Sequence, residues 1–198
     1  PILITGCSPR SGRAMEIEMK ADWIPSPPCL SDKLADWEFL TEWGGEVFFQ
    51  GRDVLDVGPF YGVEAFMFAP KARRYAILDS VEGVHTHLAR IAPSVELIVA
   101  DAEKPWPVPD ESFDTLIDFS TFDDLADPLH GYREAYRVLR PGGTLFSAFG
   151  NALVLKEKIP YQTYQYPDEL RTFLQGLGFR GVRTSRTNQA RAMIVGAR

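Results

Sequence analysis

An α/β fold is predicted, with seven strands in a mostly parallel sheet, helices on both faces, and a β-hairpin and helix in front. Three observations lead there. From Asp53 onward, short β-rich apolar runs alternate with stretches of helical periodicity, the arrangement that favours crossover connections and a covered sheet. Before that point, residues 15–23 alternate strictly between apolar and polar, which reads as a half-buried strand of a hairpin. The chain of 198 residues, 45% hydrophobic and 24% charged, has the size and average composition of one domain with a full core.

Element by element, "ILIT" is apolar and β-rich, "CSPRSG" is a turn by composition, and the alternating segment completes the hairpin. "PSPPC" breaks the chain. "SDKLADWEFLTEW" then carries Leu34, Trp37, Leu40 and Trp43 at helical spacing behind Ser31, an N-cap residue type. Residues 1–50 are therefore expected to form an N-terminal hairpin and helix, serving as a lid or a dimer element, and residues 51–198 the core. Strands are expected at "DVLDV", "RYAILD", "VELIVA", "DTLIDF", "TLFSAF", "FRGVRTS" and "AMIVGA". Helices are expected near 61–68, 81–91, 129–139 and 167–177, with a Pro-Gly-Gly turn closing the third into the next strand.

A formal charge of −6 argues against a general nucleic-acid binder, since that affinity comes from clustered Lys and Arg. No apolar run reaches the roughly 18 residues of a membrane span, and no segment reads as a secretory signal, so a soluble cytoplasmic protein is expected. Cys7 and Cys29 have neither metal-ligand spacing nor partners for a disulfide framework, and no metal is predicted.

Ligands of open α/β sheets sit beyond the carboxyl ends of the strands, where strand-to-helix turns present free backbone N–H groups. "DVGPFYG", from Asp56 to Gly62, occupies that place on the first core strand. The second strand ends in Asp79, a carboxylate able to accept hydrogen bonds from both hydroxyls of a ribose. The third ends in "VAD", which sets Asp101 at the next tip, within the chemistry of an adenine amino group.

Taken with "LDVGPFYG", "ILD", "ADAEKPWPVPDESFD", "RVLRPGG" and the tail "YPDELRTFLQGLGFRGV", the chain resembles the class I S-adenosylmethionine-dependent methyltransferases, Rossmann-like proteins, and is most similar to their small-molecule (type 11-like) branch. The resemblance implies S-adenosylmethionine as cofactor, S-adenosylhomocysteine as product, and a small-molecule acceptor methylated on O or N. It implies that Gly58, Phe60 and Gly62 border the methionine part, that Asp79 binds the ribose, that Asp101 with Ala102 binds the adenine, and that Ser80 also contacts the cofactor. Phe119 or Ser120 would line the pocket, and Asp56 would sit near the loop amides or the cofactor's amino group, or else brace the loop.

Phe60 departs from the family pattern, which has glycine there for a positive φ or close approach. With a negative φ its ring can point away or cover the ligand; a ring filling the methionine site would instead leave an inactive fold that serves as a binding scaffold. "STFDDLAD" places Asp123 and Asp124 near the methyl side, as a base or amine-holding pair or as capping acids facing water. Tyr161, Tyr164 and Tyr166 lie in a region that covers the substrate in this fold, and ordinary packing explains them equally.

Other readings fit less well. "LITGCSPRSG" resembles a sulfotransferase phosphosulfate loop, yet a strand-like alternation follows it where such a loop must open a helix, and Arg13-Ala14 stands where a P-loop has Lys-Ser/Thr. "GPFYGVEAF" lacks the GxGxxG of a nicotinamide enzyme, and "DFST" lacks the aromatic clamp of DNA amino-methylation.

Overall fold

The computed structural model describes residues 45–59, 62–80, 86, 88–90, 94–152, 165–185 and 191–198. The expected hairpin, the tryptophan-bearing helix, both cysteines, Phe60, Tyr161 and Tyr164 lie outside the described residues.

The strands are β1 (Asp53–Val57), β2 (Arg74–Asp79), β3 (Glu96–Val99), β4 (Phe113–Phe119), β5 (Leu139–Gly150), β6 (Arg180–Thr184) and β7 (Arg191–Ala197). They form one sheet in the order β3-β2-β1-β4-β5-β7-β6. Pairs from β3 through β5 are parallel, and β7 runs antiparallel to both β5 and β6. The chain moves outward from β1 to β3 and returns to β4 on the other side, so the strand order reverses between β1 and β4. That reversal opens a crevice at the strand tips.

The helices are α1 (Val63–Phe68), α2 (Pro128–Val138) and α3 (Pro167–Leu177), with 3-10 turns at Gly45–Phe48 and Phe122–Asp124. Thr86 and residues 88–90 are helical, within the span expected at 81–91. Asp127 starts α2 by accepting from the Leu129 N–H at 3.0 Å, with Pro128 at the first position, where its missing N–H costs nothing. α3 also opens on proline and ends at Gly178, whose φ of 112° closes the helix. Among the described residues no helix is long and apolar enough to cross a membrane.

Alternate strand residues feed two cores. Leu55, Val57 and Leu116 face Tyr132, Ala135 and Val138 of α2 and Leu170 and Leu174 of α3. Val54, Ile77 and Ile117 face Ala65 and Phe68 of α1, and Leu88. Phe49 joins the second core from the N-terminal side of the boundary expected at residue 50: it is fully buried, its ring stacked on Phe68 at 3.8 Å. Burial of one such ring contributes roughly 1.5–3 kcal/mol. Next to it the Phe48 carbonyl accepts from the Thr115 hydroxyl at 2.6 Å, tying this segment to β4.

One expectation is corrected. The Pro-Gly-Gly turn does not cap α2, because the helix ends at Val138 and passes directly into β5. Leu139 pairs with Phe113 and Thr144 with Thr115, so residues 140–143 bulge opposite Asp114. Gly142, at φ 81°, supplies the left-handed residue of this irregularity and donates to the Arg198 carbonyl.

Candidate functional site

The tips of β1, β2, β3 and β4 meet at the crevice. After Val57 the chain turns at Gly58, whose φ of 63° lies in the left-handed region and whose N–H still donates to the Leu78 carbonyl at 2.9 Å. The Gly62 N–H donates to the Pro59 carbonyl at 2.9 Å, and Gly62, at φ 68°, caps α1. Left-handed glycines thus stand at both ends of this loop.

Asp56 lies beneath this loop, buried, and accepts from the Tyr75 hydroxyl at 2.8 Å. Burial pushes the Tyr75 hydroxyl well above its ordinary pKa, and the nearby charges of Asp56 and Glu64 push the same way, so the tyrosine stays a donor. This hydrogen bond braces β1 against β2.

Asp79 ends β2 half-buried, its carbonyl accepting from the Ala100 N–H at 3.1 Å, with exposed Ser80 after it. On the adjacent tip, Asp101 is exposed and structured by its own turn: it accepts from the Glu103 N–H and from Lys104 Nζ, both at 2.9 Å. Lys104, and then the Glu103 amide, hold the Asp101 carboxyl below the usual carboxylate range, so it is ionised at neutral pH. The Ala102 carbonyl accepts from the Trp106 indole at 3.2 Å, and Glu134 accepts from the Trp106 N–H at 2.8 Å, which anchors the loop to α2.

On the other wall, Phe119 is buried and Ser120 adopts φ 78°, a left-handed conformation that a non-glycine residue reaches only at a cost of about 1–2 kcal/mol. The following turn rests on Asp118, a fully buried carboxylate inside β4. Its Oδ1 accepts from the Thr121 N–H at 2.8 Å and the Phe122 N–H at 3.1 Å, and its Oδ2 from the Ser147 hydroxyl at 2.6 Å. Ser147 Oγ in turn lies 3.1 Å from the Tyr132 hydroxyl.

Asp123 does not face water. It is 2% exposed and accepts from the Gly150 N–H at 2.5 Å and from Gln165 Nε2 at 3.4 Å. Asp124 is half-buried, its N–H donating to the Thr121 carbonyl at 3.0 Å. Tyr166 precedes α3 and is 48% exposed.

The structure therefore brings Gly58, Gly62, Asp79, Ser80, Asp101, Ala102, Phe119, Ser120, Asp123 and Asp124 to one edge of the sheet. The sequence reading missed Thr121, Ser147, Tyr132 and Gln165, and passed over Asp118. The signal for Asp118 was present: an acid within the apolar run "TLIDF", followed by "ST", is the pattern of a side chain that caps the turn after its strand.

Residues 55–147 match the family described as "Methyltransferase domain". A "Probable S-adenosylmethionine-dependent methyltransferase" of Mycolicibacterium smegmatis is 34% identical over 103 residues, covering 52% of this chain and 40% of that protein. The chain thus spans less than half the length of that relative. Among solved structures, an S-adenosylmethionine-dependent methyltransferase from Mesorhizobium loti superposes with a TM-score of 0.72 at 15% identity, covering 83% of this chain and 98% of the other. The protein of the DhpI-SAH complex superposes with a TM-score of 0.68 at 16% identity, covering 85% of each chain. At these identities the superpositions establish a shared fold.

Proposed function

We propose that this chain, which belongs to the class I S-adenosylmethionine-dependent methyltransferases through the domain spanning residues 55–147, transfers a methyl group to an oxygen or nitrogen of a small-molecule acceptor. The observation that carries the reading is the placement of Asp79 and Asp101 on adjacent strand tips, beside a left-handed Gly58 at the point where the strand order reverses. The donor set fits a nucleoside bearing an amino-acid arm: carboxylates for ribose hydroxyls and an adenine amino group, and a glycine cradle for the arm.

When bound, S-adenosylmethionine supplies an electrophilic methyl carbon whose bond to sulfur breaks as the bond to the acceptor forms, leaving S-adenosylhomocysteine. The protein's part is chiefly positioning, which can contribute roughly 7–11 kcal/mol to such a displacement. Asp79, with Ser80, holds the ribose; Asp101 and Ala102 orient the adenine; Gly58, Phe60 and Gly62 border the arm; Phe119 and Ser120 form the opposite wall. Asp56 acts from below as a brace. Asp123 is held by Gly150 and Gln165, and of the two acids after β4 we assign Asp124 to take the proton of an acceptor that must lose one. Tyr161, Tyr164 and Tyr166 are assigned to the acceptor side. A cytoplasmic location, an N-terminal segment serving as a lid or a dimer contact, and the absence of nucleic-acid binding belong to the same proposal.

Titration calorimetry with S-adenosylhomocysteine tests the reading. The wild-type chain should bind, and Asp79→Ala should bind at least about tenfold more weakly, since a hydrogen bond to a charged group contributes roughly 1.5–3 kcal/mol. No binding by the wild-type chain at millimolar ligand would overturn the proposal in favour of an inactive scaffold.

A further inference from the structure

We infer that Thr121 is a positioning residue that locks the cofactor loop to the tip of β4, so that the cofactor and acceptor walls of the crevice move as one body. The inference deepens the methyltransferase reading and rests on it. Thr121 Oγ1 donates to the Val57 carbonyl at 2.9 Å and lies 3.2 Å from the Gly58 carbonyl, so one hydroxyl spans the last residue of β1 and the first of the loop.

The fit on the other side is equally close. A Cβ added to Gly58 would stand 2.2 Å from Thr121 Oγ1 and 2.7 Å from Thr121 Cγ2, distances that real Cβ atoms do not show. Gly58 is thus glycine for its left-handed φ and also because Thr121 occupies the space a side chain would need.

Thr121 is itself held from behind. Its N–H is bound by Asp118, which is fixed through Ser147 to Tyr132, and all three of these residues are fully buried. The reversed φ of Ser120, the residue before it, turns the chain across the end of β1. The line Tyr132, Ser147, Asp118, Thr121, Gly58 therefore runs from α2 through β5 and β4 to the cofactor loop. The turn that Thr121 opens also carries Asp123 and Asp124. Cutting the line at Thr121 would let the loop sample arrangements that do not bind, and apparent affinity falls by the fraction of time so spent.

S-adenosylhomocysteine is titrated into the wild-type chain, Thr121→Val, Thr121→Ser and Val182→Ala. Val182 lies in β6, remote from the loop, and its truncation lowers stability without touching the clamp. Thr121→Val should raise Kd about fivefold or more, Thr121→Ser should stay within about twofold of wild type, and Val182→Ala should lose melting temperature at unchanged Kd. Should Thr121→Val not fold, Thr121→Ala carries the same expectation, because it opens space rather than filling it. Unchanged affinity in the valine or alanine variant, or a serine variant as weak as the valine one, would overturn the clamp while leaving the methyltransferase reading intact. A wild-type chain that does not bind at all would instead remove the reading on which the clamp rests.

Discussion

Replacing Asp118 by alanine takes the acceptor from three donors at once: the Thr121 and Phe122 amides and the Ser147 hydroxyl. Ser147 can turn toward the Tyr132 hydroxyl 3.1 Å away, so its loss counts for little. A buried donor left unsatisfied costs roughly 1–3 kcal/mol, which puts the two amides at about 3–4 kcal/mol after some relaxation of the turn. Each kcal/mol moves the melting temperature of a chain this size by about 2–4 °C, so Asp118→Ala should melt roughly 10 °C below wild type. Asp118→Asn retains an oxygen for both amides and presents a donor to a hydroxyl that can accept, and should lose only about 1–2 kcal/mol. Thermal melts followed by circular dichroism measure both. Burying a charge carries its own penalty, so the order of the two variants is the decisive reading. An alanine variant that melts within about 2 °C of wild type, or below-wild-type melting equal in both, would refute the view that these hydrogen bonds set the β4 tip.

Two further predictions concern the β1 loop and the opposite end of the sheet. Gly58→Ala should destabilise by about 2–4 kcal/mol, from its left-handed backbone and its collision with Thr121, and the double variant with Thr121→Ala should lose at least about 1 kcal/mol less than the sum of the singles; strictly additive melts would show that the two residues do not touch. At the amino end, Asp53 accepts from Arg73 at 2.8 and 2.7 Å and from Arg140 at 3.0 Å, and Arg73 above all holds its carboxyl below the ordinary value. Its folded pKa is depressed, so its stabilisation is complete above the unfolded value near 4 and is lost as the pH falls through the folded value. Melting temperature should therefore hold to about pH 5 and decline below about 4, and Asp53→Asn should lower it at pH 7 while making the acid decline shallower. An unchanged acid decline in that variant would remove Asp53 from the explanation.

The central strands β1, β2 and β4 were legible because each is a short apolar run between turn residues, and a parallel sheet buries both faces of such runs. The ligand-binding edge was legible too, through the turn at Gly58, Asp79 at the end of β2 and Asp101 two residues beyond β3, whereas the strand order was not. What escaped the sequence was the set of side chains that fix the site rather than face it. Apart from the local Thr121–Asp118 bond, the side-chain hydrogen bonds that tie Thr121, Ser147, Gln165 and Tyr132 into the site span 15 to 64 positions, and no local spacing reports such contacts. The Pro-Gly-Gly turn misled for a related reason. Pro and Gly mark a break in regular structure, but whether that break caps a helix or bulges a strand is decided by the neighbouring strand, here by Asp114 across from residues 140–143. Phe49 lies before the expected core boundary at residue 51: "EVFFQG" is too short to show a period, and the residue's burial depends on Phe68 and Phe146 beyond it.

The two acids that end the β4 turn are neighbours in sequence, and the proposed function gives them different roles. Asp123 reaches the Gly150 N–H at the end of β5, and the Gln165 amide beside it; the Gln165 N–H donates to the Gly150 carbonyl, and the Ala152 N–H to the Gln165 carbonyl. Residues 150–152 and 165 are thereby joined across the whole excursion that carries Tyr161 and Tyr164, and Asp123 fastens that junction to the same turn that Thr121 fastens to β1. An acid committed to a backbone amide in this way is a poor shuttle for protons, because each protonation would give up the bond that holds the junction closed. Removing it should loosen the acceptor side without changing the chemistry, whereas Asp124→Asn should slow only acceptors that must surrender a proton as they are methylated. In the proposed pairing of one fixed acid, the buried Asp123, with one chemical acid, the acceptor's own acidity is the variable on which dependence on Asp124 should turn.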